Sequence, residues 1–276
     1  MKYFISILLL MLLLSCNQEG KDSKSTKNPE SNTQIVKVED HSKENANKVV
    51  DQNSNISINY VMGKFEPNES KQFELINPKY ASRSGMYLRK EAYAAFIKMY
   101  EAALADGINL RIVSATRNFN AQKRIWEAKW NGDRLVDGGE NLSLTTPDPK
   151  ERALKILKWS SMPGSSRHHW GTDIDINDLE NEYFETGYGA KVYSWLIENA
   201  SKYGYCQPYT PKDEKRPNGY NEEKWHWSFL PIAKPLSDFA KVSLNNDMIT
   251  GFDGSEAAKE IDILNNFILG INSACL

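Results

Sequence analysis

Ser166-Arg167-His168-His169-Trp170-Gly171-Thr172-Asp173-Ile174-Asp175 is the stretch on which the reading of this chain turns. From Thr172 to Asn177 the residues alternate, and the alternation predicts a strand with Asp173, Asp175 and Asn177 on one face and Ile174 and Ile176 in the core. A turn at Gly171 then brings His168 back beside Asp175, so that an imidazole and a carboxylate seven positions apart share a pocket. Taken alone the spacing is weak. A histidine capping a turn and an aspartate in a surface ion pair account for it as well.

Working outward, Glu223-Lys224-Trp225-His226-Trp227 supplies what the first stretch lacks. Two tryptophans flanking His226 imply a packed environment, in which an imidazole needs a specific partner. His168, Asp175 and His226 together make three N/O ligands that leave one position open, the composition of a catalytic zinc site carrying one ion per chain. Glu223, three residues before a ligand, is then placed to act as the base on water. In a continuous strand positions 223 and 226 face opposite ways, so Glu223 is expected in a turn just before the strand.

Around these segments the pattern alternates between helix and strand. Leu88, Ala92, Phe96, Met99 and Ala103 recur at helical steps between Tyr87 and Asp106, and Gly107 supplies the stop. Ile108, Leu110 and Ile112 predict a strand that runs into Ser114-Ala115-Thr116-Arg117, and helices are expected over about 120–130, 149–159 and 190–203. Residues 133–146 read as a loop, 224–230 as a strand, and 255–269 as a terminal helix capped by Ser255. With no regular βαβ period, the expected class is α+β, a small and largely antiparallel sheet with flanking helices.

The linked motifs Ser114-x-x-Arg117-x-x-x-x-Gln122, Ser166-x-His168-x-x-Gly171-x-x-x-Asp175 and Glu223-x-Trp225-His226-Trp227 resemble the zinc D-alanyl-D-alanine carboxypeptidases of the VanY and VanX type. The related L,D-carboxypeptidases and murein endopeptidases share their hedgehog-like, D,D-peptidase-like fold. The resemblance covers roughly residues 80–230. It implies that His168, Asp175 and His226 bind zinc, that Glu223 is the catalytic base, and that Arg117 stabilises the oxyanion or the substrate carboxylate. It further implies substrate contacts at Ser166, Gln122, Ser114 and Trp225. His169 competes with His168 for the ligand role, but the spacing to Gly171 and Asp175 favours His168. Two positions depart from the family: Ser228-Phe229 follow Trp227 where Arg-Tyr is usual, and Asp173 stands where a small residue is expected. Asp173 is read as a contact to a substrate amine or as a solvated carboxylate, with a supporting role behind the metal ligands as a third possibility.

Composition sets the wider frame. The 276 residues are 40% hydrophobic and 11% aromatic, enough for a substantial core, and 34 basic against 36 acidic residues give a net charge of −2. No basic field points to nucleic acid, and three cysteines without a CxxC pair exclude a cysteine zinc finger. Lys2 and the apolar run 3–14 read as a signal peptide over 1–15, and Leu13-Leu14-Ser15-Cys16 resembles a bacterial lipobox, which makes Cys16 the lipidation site. Residues 16–59 have no aromatic side chain and read as a disordered tether, followed by a peptidase domain over 60–246 and a helical extension over 247–276. If Cys16 is lipidated, Cys206 and Cys275 remain and are free to pair in an oxidising compartment.

These readings lead to a monomeric, lipid-anchored peptidase of the bacterial cell envelope. Its expected activity is that of a D,D-carboxypeptidase trimming the peptidoglycan stem peptide. The alternatives are an L,D-carboxypeptidase, a murein endopeptidase, or a non-catalytic zinc module that binds peptidoglycan or a protein.

Overall fold

The computed structural model of the chain describes residues 56–276; the expected signal peptide 1–15, Cys16 and the tether up to residue 55 lie outside the described residues. The tether was expected to run to residue 59, but its last residues already belong to the fold. Ser57 caps the single turn Ile58–Val61 by accepting from the Tyr60 N–H, and Val61 and Met62 are buried.

A two-stranded antiparallel ribbon follows, with β1 (Phe73–Leu75) paired to β2 (Tyr87–Arg89). Helix α1 (Lys90–Ala105) buries Ala92, Phe96, Met99 and Ala103, the spacing expected of it. It starts later than the pattern suggests because Leu88 is drawn into the ribbon opposite Glu74. Strand β3 (Ile112–Ser114) is likewise shorter than its alternation. The Asn109 N–H goes to the Tyr188 hydroxyl and the Arg111 N–H to the Asn177 side chain, so neither enters a ladder. Helices α2 (Phe119–Trp130) and α3 (Pro149–Ile156) are capped by Asn118 and Asp148, whose side chains accept from the amides three residues on. The intervening segment, read as loop, contains the short helix Leu142–Thr145. Strand β4 (Asp173–Ile176), helix α4 (Gly187–Asn199), β5 (Tyr205–Cys206), β6 (His226–Phe229) and helix α5 (Leu230–Ser243) complete the frame.

The four-stranded sheet has the order β3-β4-β6-β5 and is antiparallel throughout. The register of β4 on β6 sets Asp173 opposite Ser228, Ile174 opposite Trp227 and Asp175 opposite His226. Because side chains alternate across a strand, Ile174, Ile176, Trp227 and Phe229 leave one face and enter a core shared with α1 and α4. Asp173, Asp175, His226 and Ser228 leave the other face. That face is largely covered as well, which is why every residue of β4 and β6 is buried.

A second core gathers α2, α3 and α5 with the C-terminal residues. The continuous helix expected from Ser255 does not form. Glu256, not Ser255, stands at the N-cap of a short helix Ala257–Ile261, which ends where Asp262 turns left-handed at φ 54°, and a single π-helical turn Leu264–Ile268 follows. Residues 247–276 belong to the same folded unit as the peptidase segment. Phe252, Ile261, Ile268 and Ile271 are buried, and the Trp126 indole donates to the Asp253 carbonyl at 2.8 Å. Cys275 is disulfide-bonded to Cys206 of β5, closing a separation of 69 residues. Removing the bond by Cys206→Ser is expected to lower the unfolding free energy by about 2–4 kcal/mol, read from the midpoint of denaturant unfolding.

Candidate active site

The site forms where the buried polar face of β4 and β6 meets the turn Arg167–Trp170. Gly171 ends that turn at φ 72°, and a Cβ there would run into the Phe73 ring, so this close left-handed reversal admits only glycine. Its carbonyl accepts from the Arg89 N–H, which fixes the turn on β2. The reversal returns His168 over β4, and the β4–β6 register brings His226 to Asp175 from the other side.

His168 Nε2 lies 3.3 Å from Asp175 Oδ2, and His226 Nδ1 lies 3.2 Å from Asp175 Oδ1. One donor atom from each of the three residues falls within 4.8 Å of the others. The tautomers suit metal binding. His168 Nδ1 is 2.9 Å from the Ala115 carbonyl and must donate to it, which leaves Nε2 with a lone pair. His226 Nε2 faces the Asp173 carboxylate at 2.9 Å, which leaves Nδ1 for the ion. Asp175 Oδ1 is buried and makes no hydrogen bond, an acceptor in want of a partner.

Charge points the same way. Burial by itself would depress His226, yet the surrounding carboxylates of Asp173, Asp175 and Glu223 carry its pKa well above the ordinary value. Burial and the Arg117 charge push His168 down, in spite of Asp175. Burial would raise Asp175, but His168 and His226 hold its carboxyl well below the usual range. Three carboxylates converging on one imidazole form a site that accepts extra positive charge, and two imidazoles with one carboxylate are a donor set that fits a zinc ion.

Glu223 lies just before β6, ahead of the turn at Lys224–Trp225, as the opposed facing of 223 and 226 requires. Its Oε2 is 3.2 Å from His226 Nδ1, and burial raises its pKa against the pull of His226. Arg117 approaches Asp175, with Nη1 3.8 Å from Asp175 Oδ2. It donates from Nη1 to the Ser114 hydroxyl at 2.7 Å and from Nε to Gln122 Oε1 at 2.9 Å, which leaves the Nη2 end for the cleft. Gln122 in turn donates to the Ser161 carbonyl at 2.8 Å. The cleft above these groups has a volume of about 610 Å³ and is also lined by Ser166, Trp225, Lys129 and Tyr220.

The VanY family model, described as D-alanyl-D-alanine carboxypeptidase, matches residues 85–232, more than half of the chain. The chain belongs to the VanY family. It is 30% identical over 166 residues to the putative carboxypeptidase YodJ of Bacillus subtilis, covering 59% of this chain and 51% of that protein. It is 30% identical over 134 residues to a D-alanyl-D-alanine carboxypeptidase of Enterococcus faecalis, covering 49% and 45% respectively. The chain therefore spans about half the length of these curated relatives. Among solved structures, VanYB in complex with D-alanine-D-alanine aligns with a TM-score of 0.46 at 21% identity, over 65% of this chain and 93% of that one. The LdcB LD-carboxypeptidase aligns with a TM-score of 0.46 at 24% identity, over 72% and 81%.

Two of the positions expected at the substrate stand elsewhere in this VanY-family chain. Asp173 does not reach the cleft. It is fully buried behind His226, where Oδ1 accepts from Thr172 and Ser228, both at 2.7 Å, and Oδ2 from Arg167 Nε at 3.2 Å and from His226. Asp173 does share the face of Asp175, but there it is covered by the Arg167 side chain, which is in turn held by Ser237 of α5. Ser114 sits behind Arg117 as its hydrogen-bond acceptor and is absent from the cleft wall. Ser166 and Trp225 do line the cleft, the serine hydroxyl without a protein partner and the indole 5.9 Å from that of Trp159. His169, the competing ligand, points away. It accepts from the Gly164 N–H at Nε2 and donates from Nδ1 to the Arg117 carbonyl at 2.6 Å, and burial pushes its pKa down to about 3.

Arg167, the residue between Ser166 and His168, had no assigned role. Its guanidinium is fully buried, donates to Asp173, to Ser228 at 2.9 Å and to Ser237 of α5 at 3.0 Å, and stacks on Trp170 at 4.5 Å. The available signal is compensation: an unexpected acid at 173 and an unexpected serine at 228, with a basic residue, Arg167, four positions before the turn glycine Gly171.

Proposed function

We propose that this chain is a zinc-dependent D-alanyl-D-alanine carboxypeptidase that trims the stem peptide of peptidoglycan. The observation that carries the reading is the placement of Glu223, 3.2 Å from Nδ1 of His226, and of Arg117, 3.8 Å from Asp175, against the donor set of His168, Asp175 and His226. Zinc, when bound by these three side chains, supplies the Lewis acidity that eases loss of a proton from water and polarises the scissile carbonyl. Glu223 takes that proton as the water oxygen bonds to the carbonyl carbon. Arg117 donates from its free Nη2 end to the carbonyl oxygen as negative charge grows on it, and Ser114 and Gln122 hold the guanidinium in place. Glu223 returns the proton to the amine nitrogen as the C–N bond breaks, which releases the terminal amino acid.

The N-terminal sequence supports a lipid-anchored envelope protein, with Cys16 as the acylated residue and the polar segment after it as the reach from membrane to sacculus. The described residues contain no helix long and apolar enough to cross a membrane.

Purified pentapeptide and tetrapeptide muropeptides incubated with the zinc-loaded protein and analysed by mass spectrometry provide the test. Loss of one alanine from the pentapeptide, blocked by EDTA, is the expected result. Loss from the tetrapeptide alone makes the protein an L,D-carboxypeptidase, cleavage within the stem or crosslink makes it an endopeptidase, and binding without cleavage makes it a non-catalytic module.

A further inference from the structure

One cation in the cleft takes no part in the chemistry just described. Lys129 lies seven residues after Gln122 on α2, so the two occupy the same helix face about 10 Å apart along the axis. Long helical side chains lean toward the N-terminus, which carries the Lys129 ammonium back toward Gln122 and Arg117. It is half-buried in the cleft wall, and its Nζ donates to the Ser160 hydroxyl at 2.6 Å. The neighbouring residue, Ser161, accepts from Gln122 at 2.8 Å, so the consecutive serines link Lys129 and the Arg117–Gln122 pair to a single wall.

The other cations of the cleft are accounted for. Arg117 is committed to Ser114, Gln122 and the Asp175 side of the site, Lys155 is paired with Glu140 at 2.6 Å, and Arg134 is exposed. Among the described residues no carboxylate pairs with Lys129. Burial, reinforced by the charge of Arg134, pushes its pKa down to about 8 against the pull of Asp137 and Glu223, so the ammonium is desolvated without a carboxylate in contact to offset it. A second observation also points to a ligand: the Ser166 hydroxyl, in the wall of the same cleft, is buried and unpartnered.

We propose that Lys129, with Ser160, receives the free C-terminal carboxylate of the peptide and thereby makes the site an exopeptidase rather than an endopeptidase. The inference rests on the peptidase reading above. Arg117 then serves the carbonyl under attack, and Lys129 the carboxylate that ends the chain further along the same wall. A charge-assisted hydrogen bond in such a partly desolvated setting supports about ten- to hundredfold discrimination for a carboxylate over its neutral amide.

The test uses the zinc-loaded Glu223→Gln protein, so that peptides bind without being cut, and calorimetric titration with a pentapeptide ending in D-alanyl-D-alanine and with the same peptide amidated at its C-terminus. The acid should bind about ten- to hundredfold more tightly than the amide. Adding Lys129→Met should erase that ratio by weakening the acid alone, whereas Lys129→Arg should keep most of it. A ratio that survives Lys129→Met, an equal loss for acid and amide, or no ratio at the outset overturns the proposal while the peptidase reading stands. If neither peptide binds the Glu223→Gln protein, the peptidase reading itself fails and takes the proposal with it.

Discussion

Glu223→Gln should lower turnover of a pentapeptide substrate by about 10²–10⁴ while leaving zinc stoichiometry and thermal stability near those of the parent. Glutamine keeps the shape and one carbonyl acceptor but cannot take a proton from water or return it to the leaving amine. The neighbouring geometry argues that folding will tolerate the change, because the Glu223 backbone is held independently. Its N–H donates to the Tyr209 carbonyl at 2.9 Å, and its own carbonyl accepts from Gln207 at 3.1 Å. The side chain is buried and its pKa is raised, so removing the charge relieves desolvation even as it deletes the base. Retained turnover with zinc bound would mean that another group carries the proton and that Glu223 is only packed beside His226.

The second large effect concerns stability and metal affinity together. Arg167→Met should destabilise the protein by about 3–5 kcal/mol, because it strands the Asp173 carboxylate in a fully buried position. Asp173→Asn is the milder probe: it preserves volume and most hydrogen-bonding capacity but removes the charge that fixes His226 with Nε2 protonated and Nδ1 free. Zinc affinity, measured by competition with a chromophoric chelator, should fall about 10–100-fold in Asp173→Asn. Unchanged affinity in Asp173→Asn, together with a large loss of stability in Arg167→Met, would make the buried pair a packing element with no influence on the ligand.

These two predictions mark the boundary of what a sequence discloses. The motif residues were legible because each depends on local geometry: strand alternation at 172–177, a glycine reversal at 171 and a turn before 226. Their convergence is expected from the linked motifs and the family resemblance they carry, since the His168–Asp175 spacing alone is equally met by a turn-capping histidine and a surface aspartate. The environment of Asp173 was not legible, since a strand pattern says which face a residue leaves and not whether a helix covers that face. Helix α5, whose Ser237 holds the covering Arg167, carries Pro231 in its first turn and Pro235 inside, residues that punctuate the apolar pattern by which helices are recognised. The early start expected for α1 and the long strand expected at 108–113 have a common cause. Hydrogen-bond partners distant in sequence, Glu74 in the ribbon and the Tyr188 and Asn177 side chains, claimed backbone groups that local propensity had assigned elsewhere. The tail departs from its apolar pattern for a related reason: Asp262 breaks a helix that the spacing alone would continue.

The pairing of β4 with β6 has a thermodynamic consequence. Two of the candidate ligands, His168 and Asp175, stand close in the chain, but the third arrives on a strand that joins only when a long intervening segment has folded. An ion held by all three therefore acts as a reversible cross-link that exists in the native state alone. At a free concentration one hundred times its dissociation constant, such a ligand adds about 2.7 kcal/mol to the native state. Chelation and partial unfolding of this protein would then be two readings of one equilibrium, with the melting temperature serving as a gauge of free metal.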